Sequence, residues 1–114
     1  MKTAHFLKLD KKTSQNLALD DLDYTTSYAR AFKLEQILIH ADVAISETVT
    51  ITLDSVHGSS YDTVLKEVTL VAETDFVYEP LSEKNFQAGD EIRVQVTNAN
   101  LTGTVYAVIR TSEM

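Results

Sequence analysis

The sequence has no cysteine and no tryptophan, and only one proline and three glycines among 114 residues. Without cysteine there is no disulfide scaffold, thiolate metal site, cysteine nucleophile or thiol switch. Bases are also scarce: 10 Lys and Arg stand against 17 Asp and Glu, a formal charge of −7. A chain of that sign is a poor generic ligand for phosphate backbones, so no nucleic-acid partner is expected. Lys8, Lys11 and Lys12 are the one basic cluster, and they read as a solvated or partner-facing patch. Long apolar runs are missing too. No window approaches the roughly 18 apolar residues of a membrane span, and Thr3 to Asp10 holds no apolar stretch of signal-peptide length. No membrane partner and no secretory leader are expected.

What is present describes an ordinary globular domain, with 44 % hydrophobic and 24 % charged residues. From residue 32 to 111 the sequence runs in short alternating stretches separated by turn residues, the pattern of antiparallel β structure. Thr48 to Asp54 is the cleanest: Val49, Ile51 and Leu53 point one way, Thr48, Thr50 and Thr52 the other. In Phe32 to His40 the apolar parity shifts at Gln36, from Phe32 and Leu34 to Ile37 and Ile39, which predicts a bulge or a strand buried on both faces. Tyr61 to Val71 carries apolar residues on both parities, as one bulged strand or two short ones would. Further runs lie at Phe76–Tyr78, closed by Pro80, at Ile92–Val96 and at Val105–Ile109. The predicted fold is all-β: an antiparallel β-sandwich, jelly-roll-like or immunoglobulin-like, with an extended N-terminal segment. Residues 32–114 form the sandwich domain on this reading and residues 1–31 an arm or docking segment.

That segment is too apolar for a free tail. Ordering a residue costs about 1–2 kcal/mol of backbone entropy, so its leucines and tyrosines must dock somewhere. Two dispositions are open, on its own sandwich or on a neighbouring subunit. The candidate subunit-contact residues are Phe6, Leu17, Leu19, Leu22, Tyr24 and Tyr28.

Signatures of chemistry are weak. His5, His40 and His57 have no second histidine at metal-ligand spacing. His57 lies on a Gly/Ser loop near Ser55, Asp62 and Asp54, but a Ser-His-Asp relay needs three converging side chains, which one short turn rarely accommodates. Asp20, Asp21 and Asp23 form the densest acidic group; oxygen ligands suit a hard cation, yet the spacing has no EF-hand pattern and a solvated turn is the default. Gly58, Gly89 and Gly103 lie too far apart for a phosphate-cradling loop. Tyr61, Tyr78 and Tyr106 are candidates for a sugar-stacking surface or for cross-strand packing. Neither a catalytic residue nor a cofactor nor a metal is assigned, and no enzyme is expected.

The strings Ala31-Phe32-Lys33-Leu34 to Ile39-His40, Val49 to Ser55, Gly58 to Leu65, and Gly89 to Val94 with Thr97-Asn98 resemble those of small β-sandwich virion proteins of tailed bacteriophages. That resemblance spans residues 31–111 and implies a non-enzymatic structural component on the head, at the head–tail junction or along the tail. It would be made in the host cytoplasm and end in the virion. Its partners would be other virion proteins, met through sandwich edges and the N-terminal arm, in a homo-oligomer such as a trimer or higher ring. The loops at 54–62 and 98–103, with His57, Tyr61, Asn98 and Asn100, would face solvent or a host. The alternative on the same architecture is a carbohydrate-binding or adhesion module with a host glycan as ligand.

Overall fold

Val49, Ile51, Val94 and Val96 are all fully buried, and the threonines and polar residues between them face outward. Such alternation buries one face of a strand and wets the other. In the computed structural model, which describes residues 8–113, this pattern is repeated around a two-layer sandwich. The strands are β1 (Lys8–Asn16), β2 (Leu22–Ser27), β3 (Phe32–Ile45), β4 (Thr48–Asp54), β5 (Thr63–Thr69), β6 (Glu73–Tyr78), β7 (Lys84–Phe86), β8 (Glu91–Val96) and β9 (Thr104–Glu113), with one 3₁₀ turn at Ser59–Tyr61.

One sheet has the order β1-β9-β3-β6, with β7 also paired to β3; the other has the order β2-β8-β4-β5. All these pairings are antiparallel. The chain passes from one sheet to the other at most of its connections, which makes the sandwich a jelly roll. β6 and β7 lie on the same margin of β3, pairing with Ile37–Ile45 and Phe32–Leu34 in turn. They are one strand interrupted by residues 79–83, where Pro80 has no N–H to give the ladder.

The parity shift expected at Gln36 is a bulge: the β3–β9 register slips between Leu34 and Gln36. Phe32, Leu34, Ile37, Ile39 and Ala41 are thereby all turned inward. A second slip, opposite Ile51 and Thr52, falls at Leu65 in β5 and explains the mixed parity of that run.

The described part of residues 1–31 takes the first of the two dispositions and docks on its own sandwich. Lys8–Asn16 pairs with β9 over nine residues and Leu22–Ser27 with β8 over six. Each closes one margin of a sheet of its own sandwich. Leu17, Leu22 and Tyr28 are core side chains at 0 %, 2 % and 6 % exposure, so they have no surface left to offer a neighbour. The hydrophobic effect favours this strongly, because burying a leucine side chain contributes roughly 1.5–3 kcal/mol.

Gly103 marks the entry to β9. Its φ is 88°, and a Cβ there would lie 3.0 Å from Val43 Cγ2 and 3.2 Å from Ile45 Cγ2. Gly103→Ala therefore meets both left-handed backbone strain and crowding from β3. A loss of about 1–3 kcal/mol is expected in urea unfolding; an unchanged midpoint would show that the loop re-routes freely.

Candidate functional site

The ladders place the connecting loops at two opposite ends. Val49 at the start of β4 pairs with Val96 at the end of β8, while Asp54 at the end of β4 pairs with Glu91. The β8–β9 loop therefore lies at one end and the β4–β5 loop at the other, separated by roughly 20 Å of strand. The sequence groups His57 and Tyr61 with Asn98 and Asn100 as loop contacts, and the fold puts the two pairs at opposite ends.

At the first end four connections are tied together. Leu17 donates its N–H to the Gly103 carbonyl at 2.8 Å, and Leu70 donates to the Glu47 carbonyl at 2.8 Å. The Ala72 N–H reaches Ser46 Oγ at 3.0 Å, and the Thr104 N–H reaches Asp42 Oδ1 at 2.7 Å. At the centre is Glu47, only 2 % exposed. Its carboxylate accepts from Thr97 Oγ1 at 2.7 Å, the Ala99 N–H at 2.9 Å and the Asn100 N–H at 2.8 Å. Burial pushes this carboxyl up, but the three donors together outweigh it and hold it below the usual glutamate range. Asn98 and Asn100 serve the same frame through their amide nitrogens, Asn98 to the Leu17 carbonyl at 3.4 Å and Asn100 to the Ser46 carbonyl at 2.6 Å.

The second end is held by Asp90, which accepts from the Val56 and Gln87 N–H groups at 2.9 Å each. Here the Ser-His-Asp neighbourhood resolves into turn chemistry. Ser55 Oγ accepts the His57 N–H, Asp62 Oδ1 accepts the Ser55 N–H, and His57 Nε2 meets Gln87 Oε1 at 3.1 Å. Tyr61 stands edge-on to His57. Nucleophile, base and acid are each committed to a different partner.

The other candidates read from the sequence disperse likewise. Asp23 is on β2 facing Arg93, which donates to it through Nε at 2.9 Å and through one terminal nitrogen at 2.7 Å. That guanidinium holds the Asp23 carboxyl down. Asp20 and Asp21 remain in the turn before it, and no cluster of three metal-ligating residues occurs among the described residues. Leu19 is 80 % exposed and Tyr24 half-buried; Phe6 lies outside the described residues. The three tyrosines do not share a platform: Tyr61 is at the second end, Tyr78 is half-buried at a sheet margin, and Tyr106 stacks on His40 on an outer face.

Among the described residues one margin of the sandwich stays open. There β5 is hydrogen-bonded to β4 alone, and β6 and β7 to β3 alone, just as at the other margin β1 is bonded to β9 alone and β2 to β8 alone. At the opposite margin β1 and β2 approach each other, but between β5 and β6 the sheets leave a groove of about 510 Å³. Leu65, Phe76 and Tyr78 line it half-buried, and burial pushes the Tyr78 phenol up. Val64, Val77 and Leu81 stand exposed along it at 58 %, 48 % and 106 %. Sequence reasoning missed this flank because each of its strands looks ordinary alone; only their adjacency makes a surface.

No protein-family model and no curated protein matches the sequence. Among solved structures, the Drosophila NLP core, described by its pentamer formation and histone binding, is similar over 94 % of this chain and 98 % of its own. The TM-score is 0.47 and the identity 15 %. The expectation of a tailed-phage virion component is corrected by this finding, since the matched structure is not a virion protein. The physical reason is plain: strand-and-turn punctuation specifies a sandwich, and sandwiches carry many unrelated functions. At this TM-score the likeness assigns no partner to the present chain.

Proposed function

We propose that this chain is a non-enzymatic, self-associating protein-interaction module whose subunits meet along the β5–β6 flank. The observation that carries this reading is the pair of unpaired strand edges bordering an apolar groove. Free edges offer rows of N–H and C=O groups to another chain, and the exposed Val64, Val77 and Leu81 supply apolar area beside them. Charges of both signs border the groove, with Lys66 and Lys84 on one side of the balance and Glu79 on the other. Such a mixture suits a surface that must complement a copy of itself.

Sedimentation equilibrium tests this over a wide concentration range. The wild type is expected to associate, and Val64→Lys combined with Val77→Lys to sediment as a monomer with an unchanged melting temperature. Both positions are exposed, so the fold does not depend on them. A wild type that stays monomeric throughout, or a double variant that associates as before, overturns the reading.

A further inference from the structure

At the Glu47 end the β1–β2, β5–β6 and β8–β9 connections and the last residues of β3 each raise one large apolar side chain into solvent. Leu19 is 80 % exposed, Val71 71 %, Leu101 59 % and Val43 45 %. Exposed apolar residues scattered singly need no explanation, but a group of them on one surface marks an interaction site. These four are grouped by the bonds already described. Leu17 and Gly103, joined backbone to backbone, lie two residues from Leu19 and Leu101. Gly103 also abuts Val43, and Ala72, bonded to Ser46, follows Val71.

The charge of this end is one-sided. Residues 16–22, 42–48, 69–74 and 97–104 contain no lysine and no arginine. Around the apolar residues stand Asp20, Asp21, Asp42 and Glu73, with Glu47 buried beneath. The Asp21 carboxyl is pushed up, first by its hydrogen bond to Asp20 and further by burial and the Asp20 charge. A second copy docking end-on would bring carboxylates against carboxylates, and anionic lipid or phosphate backbones would be repelled in the same way. The chemistry that complements both features is a protein segment in which cationic and bulky apolar side chains alternate.

We infer that the end of the sandwich built from the β1–β2, β3–β4, β5–β6 and β8–β9 connections is a docking surface for a basic, amphipathic segment of another protein. Apolar anchors enter among Leu19, Val43, Val71 and Leu101, while Lys or Arg side chains meet the acidic rim. The frame around Glu47 holds the four connections in place before the partner arrives, which lowers the ordering cost of binding. This surface is distinct from the β5–β6 groove, so docking here and self-association there are lost independently.

The test uses the full chain and a fluorescein-labelled peptide of alternating lysine and leucine, followed by fluorescence anisotropy. Saturable binding is expected that weakens with salt. Leu19→Ser with Leu101→Asn should weaken it roughly tenfold without altering the melting temperature or the sedimentation of the protein, whereas Val56→Ser at the opposite end should leave it unchanged. The peptide with glutamate in place of lysine should not bind. The inference is overturned if the Leu19/Leu101 variant binds as the wild type does, if the glutamate peptide binds equally, or if phosphatidylserine vesicles are bound in preference to the lysine peptide.

Discussion

Phe32→Ala should lower the unfolding free energy by about 4 kcal/mol, the range seen when a fully buried phenylalanine is truncated. Phe32 has no exposed surface and begins β3, the strand that pairs with β9 on one side and with β6 and β7 on the other. Its ring lies 4.1 Å from that of Tyr28 and 5.2 Å from that of Phe86, both tilted by 35°. The substitution therefore leaves a cavity where three aromatic side chains meet and removes two ring pairs worth about 0.5–1.5 kcal/mol each beyond area burial. A domain of this size has about 5–15 kcal/mol in total, so the variant should fold but melt far earlier. Urea unfolding at constant m-value measures the effect. A loss below about 1.5 kcal/mol would mean that Tyr28 and Phe86 collapse into the space, and that this corner of the sandwich is not closely packed.

The second large effect is expected at Glu47. Glu47→Ala leaves two backbone N–H groups and the Thr97 hydroxyl without their acceptor. Hydrogen bonds to a charged group contribute about 1.5–3 kcal/mol each, but Ala99 and Asn100 are exposed and recover water. A net loss of about 3 kcal/mol is the expected balance. Glu47→Gln keeps one acceptor oxygen and should lose about half as much. The pH dependence separates this from simple packing. Because the folded carboxyl titrates below its unfolded value of about 4.3, its contribution is complete above that pH. It fades as the pH falls through the lower, folded value. The wild type should therefore lose stability on acidification more steeply than Glu47→Gln. Parallel acid limbs for the two proteins would show that the carboxylate charge is not what secures the loops.

How much of this is legible in the sequence depends on the residue. Thr48–Asp54 is readable from its parity alone, and the bulge at Gln36 from a break in parity. β1 is not: Lys8–Asn16 buries no side chain fully, alternating only between exposed and half-buried, and it is a strand because β9 offers nine residues of ladder. Tyr28 and Leu22 look available for a neighbour because the sequence records apolarity without recording what covers it. Glu47 gives no signal at all, being a single acid between Ser46 and Thr48. Its role exists only because the β8–β9 loop, some fifty residues later, arrives with its N–H groups aimed at that carboxylate.

The scarce residues have separate fates. The three glycines each take a positive φ at a loop, two further left-handed positions fall to Ala72 and Leu101, and the single proline interrupts the β6–β7 margin. The amino-acid sequence by itself determined the all-β class, most strand positions, the bulges and the excess of negative charge, since these follow from local alternation and composition. Tertiary structure alone decided the jelly-roll order, the incorporation of residues 8–27 into both sheets, the open β5–β6 margin and the base-free end. Each of these depends on which distant segments lie side by side, and alternation with period two says which face of a strand is buried without saying which strand will be its neighbour.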